Sequence, residues 1–246
     1  MKLQSALALR FSMAVLITSC IGLTGCKQIH GRPGPEPDVV RPEQVLSFDV
    51  LYKQNCSACH GESGKDGASI ALANPVYLAV AGEQRIQSVI ANGVPSSLMP
   101  PFASSSGGTL TDQQISILAD GVVQKWGSIG SLSLQDAPTY QPSLQGDSQR
   151  GQQAFVSFCS RCHGASGEGV SSKEGRVGSI VDPSYLALMS DQGIRSILIA
   201  GRPDEGMPDW RSDGAQPMTD QQITDIVSWL AAQRVADPGQ PYRSHS

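Results

Sequence analysis

Cys56-Ser57-Ala58-Cys59-His60 and Cys159-Ser160-Arg161-Cys162-His163 are two copies of one five-residue pattern, C-x-x-C-H. On a helix, residues three apart share a face, so the two thiols of each copy point the same way and the His follows directly. A dithiol redox pair needs no such His, and it sits at a strand-to-helix junction of a βαβ unit that this sequence does not show. A zinc site made from Cys56, Cys59, Cys159 and Cys162 would not need a His after each pair. Attachment of c-type haem uses all three residues. The thiols reach the vinyl groups along one porphyrin edge, and the His ligates the iron. The spacing therefore predicts two covalently attached haem c groups, one on Cys56 and Cys59 and one on Cys159 and Cys162, with His60 and His163 as axial ligands.

The N-terminus predicts the compartment. Lys2 and Arg10 give a basic start, and an apolar run from Phe11 to Leu23 is too short to span a bilayer, which takes about 20 residues. Its proportions are those of a secretory signal. Leu23-Thr24-Gly25-Cys26 resembles a bacterial lipobox, which implies cleavage after residue 25 and lipidation of Cys26. Residues 1–25 are thus read as a lipoprotein signal peptide and residues 26–42, with four prolines between 27 and 42, as a semi-rigid membrane tether. The expected place is the periplasmic side of a bacterial membrane, where haem is attached covalently. The six cysteines are then all assigned: Cys20 leaves with the signal, Cys26 is lipidated and four hold haem. His30 in the tether and His245 near the C-terminus are read as solvated.

Loss of Lys2 and Arg10 with the signal takes the formal charge from −4 to −6. A chain this acidic is a poor partner for nucleic acid.

The chain repeats itself. Asn74-Pro75-Val76-Tyr77-Leu78-Ala79 matches Asp182-Pro183-Ser184-Tyr185-Leu186-Ala187, and Ile86-Gln87-Ser88-Val89-Ile90 matches Ile194-Arg195-Ser196-Ile197-Leu198. Met99-Pro100-Pro101-Phe102 matches Met207-Pro208-Asp209-Trp210, and Thr111-Asp112-Gln113-Gln114-Ile115 matches Thr219-Asp220-Gln221-Gln222-Ile223. The C-x-x-C-H copies are offset by 103 residues and everything from Tyr77 onward by 108, so the second copy carries five extra residues after its His. Each unit reads as helical, with a first helix over 43–57 running into the first haem motif, Pro75 in a helical first turn, and a capping box at Thr111–Gln114 opening a helix that ends near Trp126. The organisation predicted is one domain over 43–127, a Ser/Pro/Gln-rich linker over 128–144, a second domain over 145–236 and a tail over 237–246.

The repeat also selects a second axial ligand. After His60 the first unit holds one methionine, Met99; the second holds Met189, Met207 and Met218. In register, Met189 falls on Ala81 and Met218 on Leu110, which suits packing roles. Met207 falls on Met99, each in an irregular Pro/Gly stretch that no helical stripe explains. Met99 and Met207 are therefore predicted to complete the iron coordination, giving closed sites of raised potential.

The order of helix into C-x-x-C-H, loops, short helices, Met loop and C-terminal helix resembles the class I cytochrome c fold, and the whole resembles tandem dihaem cytochromes c. The resemblance implies an all-α architecture of two such domains with covalent haem. In that family a Gly lies four residues before an aromatic on the first helix, where the last helix crosses. The second unit keeps the pair as Gly151 and Phe155, with Trp229 facing it. The first has Phe48 and Tyr52 with Gly121 on the opposite helix, read as a swap of bulk between the two. Which carbonyl takes the Nδ1 proton of each axial His stays open.

The function expected is that of a membrane-anchored periplasmic carrier of single electrons between a redox protein donor and acceptor, with no small-molecule substrate and no enzymatic activity of its own. Loops around Met99 and Phe102, and around Met207 and Trp210, are expected to surround the haem edges where partners dock. The alternatives are a fixed cytochrome c subunit of a respiratory complex and a dihaem peroxidase. The last needs an open iron and acid/base groups beside it, whereas His60 and His163 are the only histidines between residues 43 and 236.

Overall fold

The computed structural model describes residues 39–236 except 96, 129–133, 135, 173–174 and 212–215, together with residue 238. The signal peptide, Cys26, His30, His245 and nearly all of the tether and tail lie outside the described residues. From Pro42 onward the chain forms one compact unit.

A 3-10 turn at Pro42–Gln44 precedes α1 (Phe48–Asn55), which leads into α2 (Ser57–His60). The first helix thus begins five residues later than the sequence pattern suggests. Ser47 is extended, with φ −90° and ψ 123°, and ends the turn before the helix starts. Next come α3 (Pro75–Ala81), α4 (Glu83–Asn92) and α5 (Asp112–Trp126). The second lobe repeats the order: α6 (Ser148–Phe158), α7 (Ser160–His163), α8 (Pro183–Leu188), α9 (Asp191–Ala200) and α10 (Asp220–Ala231). Sequence dictates the helix starts. Asn74 and Asp182 accept from the first free N–H groups of α3 and α8, each with Pro at the following position. Thr111 with Gln114, and Thr219 with Gln222, close reciprocal capping boxes on α5 and α10.

The architecture is helical with one addition. An antiparallel ribbon, β1 (Val170–Ser172) against β2 (Gly175–Val177), pairs Val170 with Val177. It lies where the second unit has its extra residues, so the insertion is spent on a local hairpin and the helical frame stays in register.

In both lobes the first and last helices cross at a glycine. A β-carbon on Gly121 of α5 would lie 2.1 Å from Phe48 Cδ2, and one on Gly151 of α6 would lie 2.0 Å from the Asp225 carbonyl oxygen and 2.8 Å from Trp229 Cβ. Phe155 and Trp229 stack with ring centroids 4.4 Å apart. In the first lobe Phe48, Tyr52 and Trp126 form the corresponding cluster, Tyr52 edge-on to Trp126 at 5.1 Å. The swap of bulk read from the sequence is present.

The lobes touch through polar groups. Asn74 Nδ2 donates to the Ala200 carbonyl at 2.9 Å in a buried setting. The Arg202 guanidinium donates to the Gly67 carbonyl at 3.4 Å, and the Asp66 N–H donates to Asp204 Oδ2 at 3.4 Å. Thr139 and Tyr140 of the connection are strapped to the second lobe. Arg195, 1% exposed, donates to the carbonyls of Thr139 and Tyr140 and to Thr224 Oγ1, and pairs with Asp220. This network gives a buried guanidinium the acceptors it needs.

Candidate haem sites

Each Cys–His motif is a single helical turn following directly on a longer helix. The His60 and His163 N–H groups donate to the carbonyls of Cys56 and Cys159, both at 3.0 Å. In both copies the first Cys is half-buried and the second exposed. Gly61 and Gly164, each at φ +81°, end these turns and send the chain beneath them. In the first lobe Tyr52 Oη fixes that exit by donating to the Gly61 carbonyl at 2.8 Å.

Burial and the neighbouring Cys59 push the Cys56 thiol up to about 11, and burial and Cys162 push Cys159 up to about 12. Among the described residues no group of three or more His, Cys, Asp and Glu is placed to hold a metal ion, which disfavours the zinc alternative.

His60 is 9% exposed, and burial lowers its pKa below the ordinary histidine value. Burial lowers His163 likewise. The shift in both rings favours the neutral form, whose nitrogen lone pair can bind iron. His60 Nδ1 lies 2.8 Å from the Ile70 carbonyl, which identifies the acceptor the sequence left open. His163 Nδ1 is buried and has no hydrogen-bond partner among the described residues.

Met99 and Met207 sit in matching turns. Gly93 and Gly201, at φ +69° and +68°, terminate α4 and α9, and each packs against the methionine carbonyl too closely to admit a side chain. Val94 N–H donates to the Met99 carbonyl at 3.1 Å and Arg202 N–H to the Met207 carbonyl at 2.9 Å. Both side chains pack on the core. In the second lobe Cys159, His163 and Met207 line one cavity whose other walls are Phe155, Ile180, Tyr185, Ile194, Ile197, Leu198, Ile226 and Leu230. A thiol, an imidazole and a thioether facing one apolar space are the donor set and surroundings that a haem requires.

Met218 is buried, in keeping with its packing role, and Met189 is half-buried at the rim of a groove between the lobes. Trp210, in the loop expected to border the haem edge, is itself 3% exposed; its backbone N–H donates to the Ile199 carbonyl and its side chain belongs to the core. Arg211 covers its ring at 5.0 Å. Phe102 is half-buried, while Leu98, beside Met99, is 77% exposed. Sequence reasoning missed Asn74 as a contact between lobes. Asn at a position where the repeat has Asp was the available signal, because only the amide can donate.

Comparison with known proteins agrees with this geometry. Residues 43–120 and 146–230 each match the family model described as cytochrome C oxidase, cbb3-type, subunit III. The chain is 31% identical over 188 residues to the Cbb3-type cytochrome c oxidase subunit FixP of Sinorhizobium medicae (strain WSM419). That match covers 70% of this chain and 58% of the relative, so the chain spans less than two thirds of that protein's length. Among solved structures, the reducing HAO-like protein complex Kustc0457/Kustc0458 of Kuenenia stuttgartiensis aligns with 81% of this chain and 99% of that chain, at 15% identity and a TM-score of 0.44. The two matched domains, each with its C-x-x-C-H pair, imply two haems.

Proposed function

The chain belongs to the cbb3-type cytochrome c oxidase subunit III family, and from that premise we propose that it is a dihaem cytochrome c passing single electrons as a fixed subunit of a respiratory complex. The observation that carries the reading is the apolar cavity that Cys159, His163 and Met207 line together. Cys56, Cys59, Cys159 and Cys162 would hold haem through thioether links, and His60 with Met99 and His163 with Met207 would supply the nitrogen and sulfur donors to the iron. Each haem held in this way would contribute a one-electron Fe(III)/Fe(II) couple. The protein's own residues bury the imidazoles and line the second site with apolar side chains. Donation by both His and Met would leave no position for peroxide, which favours the carrier of electrons over the peroxidase.

A mobile carrier would use the same sites. The likeness to FixP, whose name describes a subunit of an oxidase, favours the fixed role over the shuttle suggested by the sequence. We read the protein as lying at the periplasmic side of a bacterial membrane, with a lipid anchor on Cys26 supported by the lipobox-like Leu23-Thr24-Gly25-Cys26.

The test is purification of the haem-loaded chain from its native membrane. Co-elution with a larger oxidase assembly supports the subunit, whereas release as a free protein by lipoprotein extraction favours the carrier. Visible spectra then test the sites. Two low-spin haems with a far-red sulfur-to-iron band and no response to carbon monoxide are expected. Met99→Ala and Met207→Ala should each remove half of that band. A high-spin fraction that turns over peroxide would overturn the reading.

A further inference from the structure

The two lobes are near copies, yet they treat the back of the axial histidine differently. In the first lobe, Ile70 presents its carbonyl to His60 Nδ1 at 2.8 Å. Carried back four residues from Asn74 and Asp182 at the same offset of 108, the position matching Ile70 is Gly178. Between His163 and Gly178 lies the ribbon β1–β2. The chain turns into it at Gly169, at φ +90°, whose N–H donates to the His163 carbonyl. It leaves the ribbon at Val177, whose carbonyl packs against Gly169. Gly178 is reached only after this detour, and His163 Nδ1 is buried without a partner among the described residues. The five extra residues of the second copy thus coincide with loss of the proximal hydrogen bond.

From this difference we infer that the two haem sites are poised at different potentials, with the site of His163 the more oxidising, so that a shared electron rests on the second lobe. The inference rests on the axial ligation proposed above. A ring that donates its Nδ1 proton to a carbonyl is the more basic ligand. It stabilises the ferric state and lowers the potential, which is the case for His60. His163 lacks that donation and is the weaker base. Transfer from the first lobe to the second is balanced: one electron leaves the first site, which becomes ferric, and enters the second, which becomes ferrous. The insertion therefore gives the repeat a direction.

The experiment is a redox titration of the full haem-loaded protein, followed in the visible spectrum, for wild type, Met99→His and Met207→His. Exchanging Met for His as axial ligand lowers the potential of the haem it touches, so each variant labels one wave. The expected result is two waves. The wave moved by Met207→His lies higher in the wild type, by about the 59 mV that makes the single electron tenfold more abundant on the second site. A wild-type order that is equal or reversed overturns the inference. Failure of either variant to move any wave overturns the ligand assignment instead. A second readout is independent of potential. In the reduced protein labelled with 15N-histidine, the Nδ1 proton of His60 should exchange slowly with solvent and that of His163 at least tenfold faster. Equal protection of the two protons counts against the missing hydrogen bond.

Discussion

Gly121 on the last helix of the first lobe lies directly over the ring of Phe48, so that a β-carbon there would fall 2.1 Å from Phe48 Cδ2. The first lobe solves the crossing of its terminal helices in this way, with bulk on one helix and glycine on the other. The second lobe reverses the assignment, placing Gly151 opposite Asp225 and Trp229. Gly121→Ala should destabilise the first lobe by about 1–3 kcal/mol, the usual cost of overpacking, seen as a lower midpoint in denaturant unfolding of the haem-loaded protein. Combining it with Phe48→Leu should recover most of the loss, because the obstructing atoms belong to a side chain. Gly151→Ala should cost more and should not be rescued at Trp229, since its nearest contact is the Asp225 backbone oxygen at 2.0 Å.

Asn74 acts at two levels. Its Oδ1 accepts from the N–H groups of Val76 and Tyr77 at 3.0 and 3.1 Å, and its Nδ2 donates to Ala200 of the other lobe. Asn74→Ala removes both, leaving buried partners unpaired, and should cost about 1–3 kcal/mol. Asn74→Asp, the residue of the matching position in the second unit, keeps the cap but puts an acceptor against the Ala200 carbonyl. It should spare the first lobe's own stability while uncoupling the two lobes. Calorimetry should then show one transition resolving into two. A single unchanged transition would mean that the lobes are held together by other contacts.

Much of this was legible from residues alone. The repeat fixed both C-x-x-C-H turns and singled out Met99 and Met207, because register carries information that single residues do not. The capping boxes at Thr111 and Thr219 were readable because capping is local chemistry. The helix start at Phe48 was misread because the stripe through Val45 looks helical, whereas the extended backbone at Ser47 decides the boundary. That Trp210 itself lies in the core was not legible, because an aromatic in a loop gives no sign of which way it faces; its place beside Ile199 depends on tertiary contacts. The ribbon had only a length signal, and the missing partner of His163 had none, since backbone carbonyls leave no mark in a sequence.

Arg195 turns the connection between the lobes into part of the second. Its guanidinium satisfies the Thr139 and Tyr140 carbonyls and pairs with Asp220. Arg195→Met keeps most of the volume but takes the guanidinium from Asp220 and leaves the Thr139 carbonyl without its donor, while the Tyr140 carbonyl keeps Gln192 Nε2 at 2.9 Å. The expected cost is about 3–5 kcal/mol, that of breaking a buried pair from one side. Proteolysis should then cut near Thr139 before either domain, whereas the wild type should resist there. Arg195→Met with Asp220→Asn should recover part of the stability but not the protease resistance, because the Thr139 carbonyl stays unpaired.

Asp225 supplies a pH test in which opposing effects can be weighed. Burial is the largest influence on its carboxyl and would raise its pKa, but hydrogen bonds from Arg150, the Asp147 N–H and Gln221 together outweigh it and hold the value below the ordinary 3.8. The geometry explains why: Arg150 donates twice at 2.9 Å, Asp147 at 2.7 Å and Gln221 at 2.9 Å, all to one carboxylate. A carboxyl with a depressed folded pKa stabilises the protein fully above its unfolded value and loses that contribution as pH falls through the folded value. Asp225→Asn should therefore be clearly less stable than wild type at pH 7, and the gap should shrink as pH falls below about 3.8. The comparison is made by urea unfolding of both haem-loaded proteins across the acid range, so that protonation of groups common to the two cancels. A gap that stays constant down to the lowest pH would show that the ion pair at the crossing of the first and last helices contributes through shape alone, not through charge.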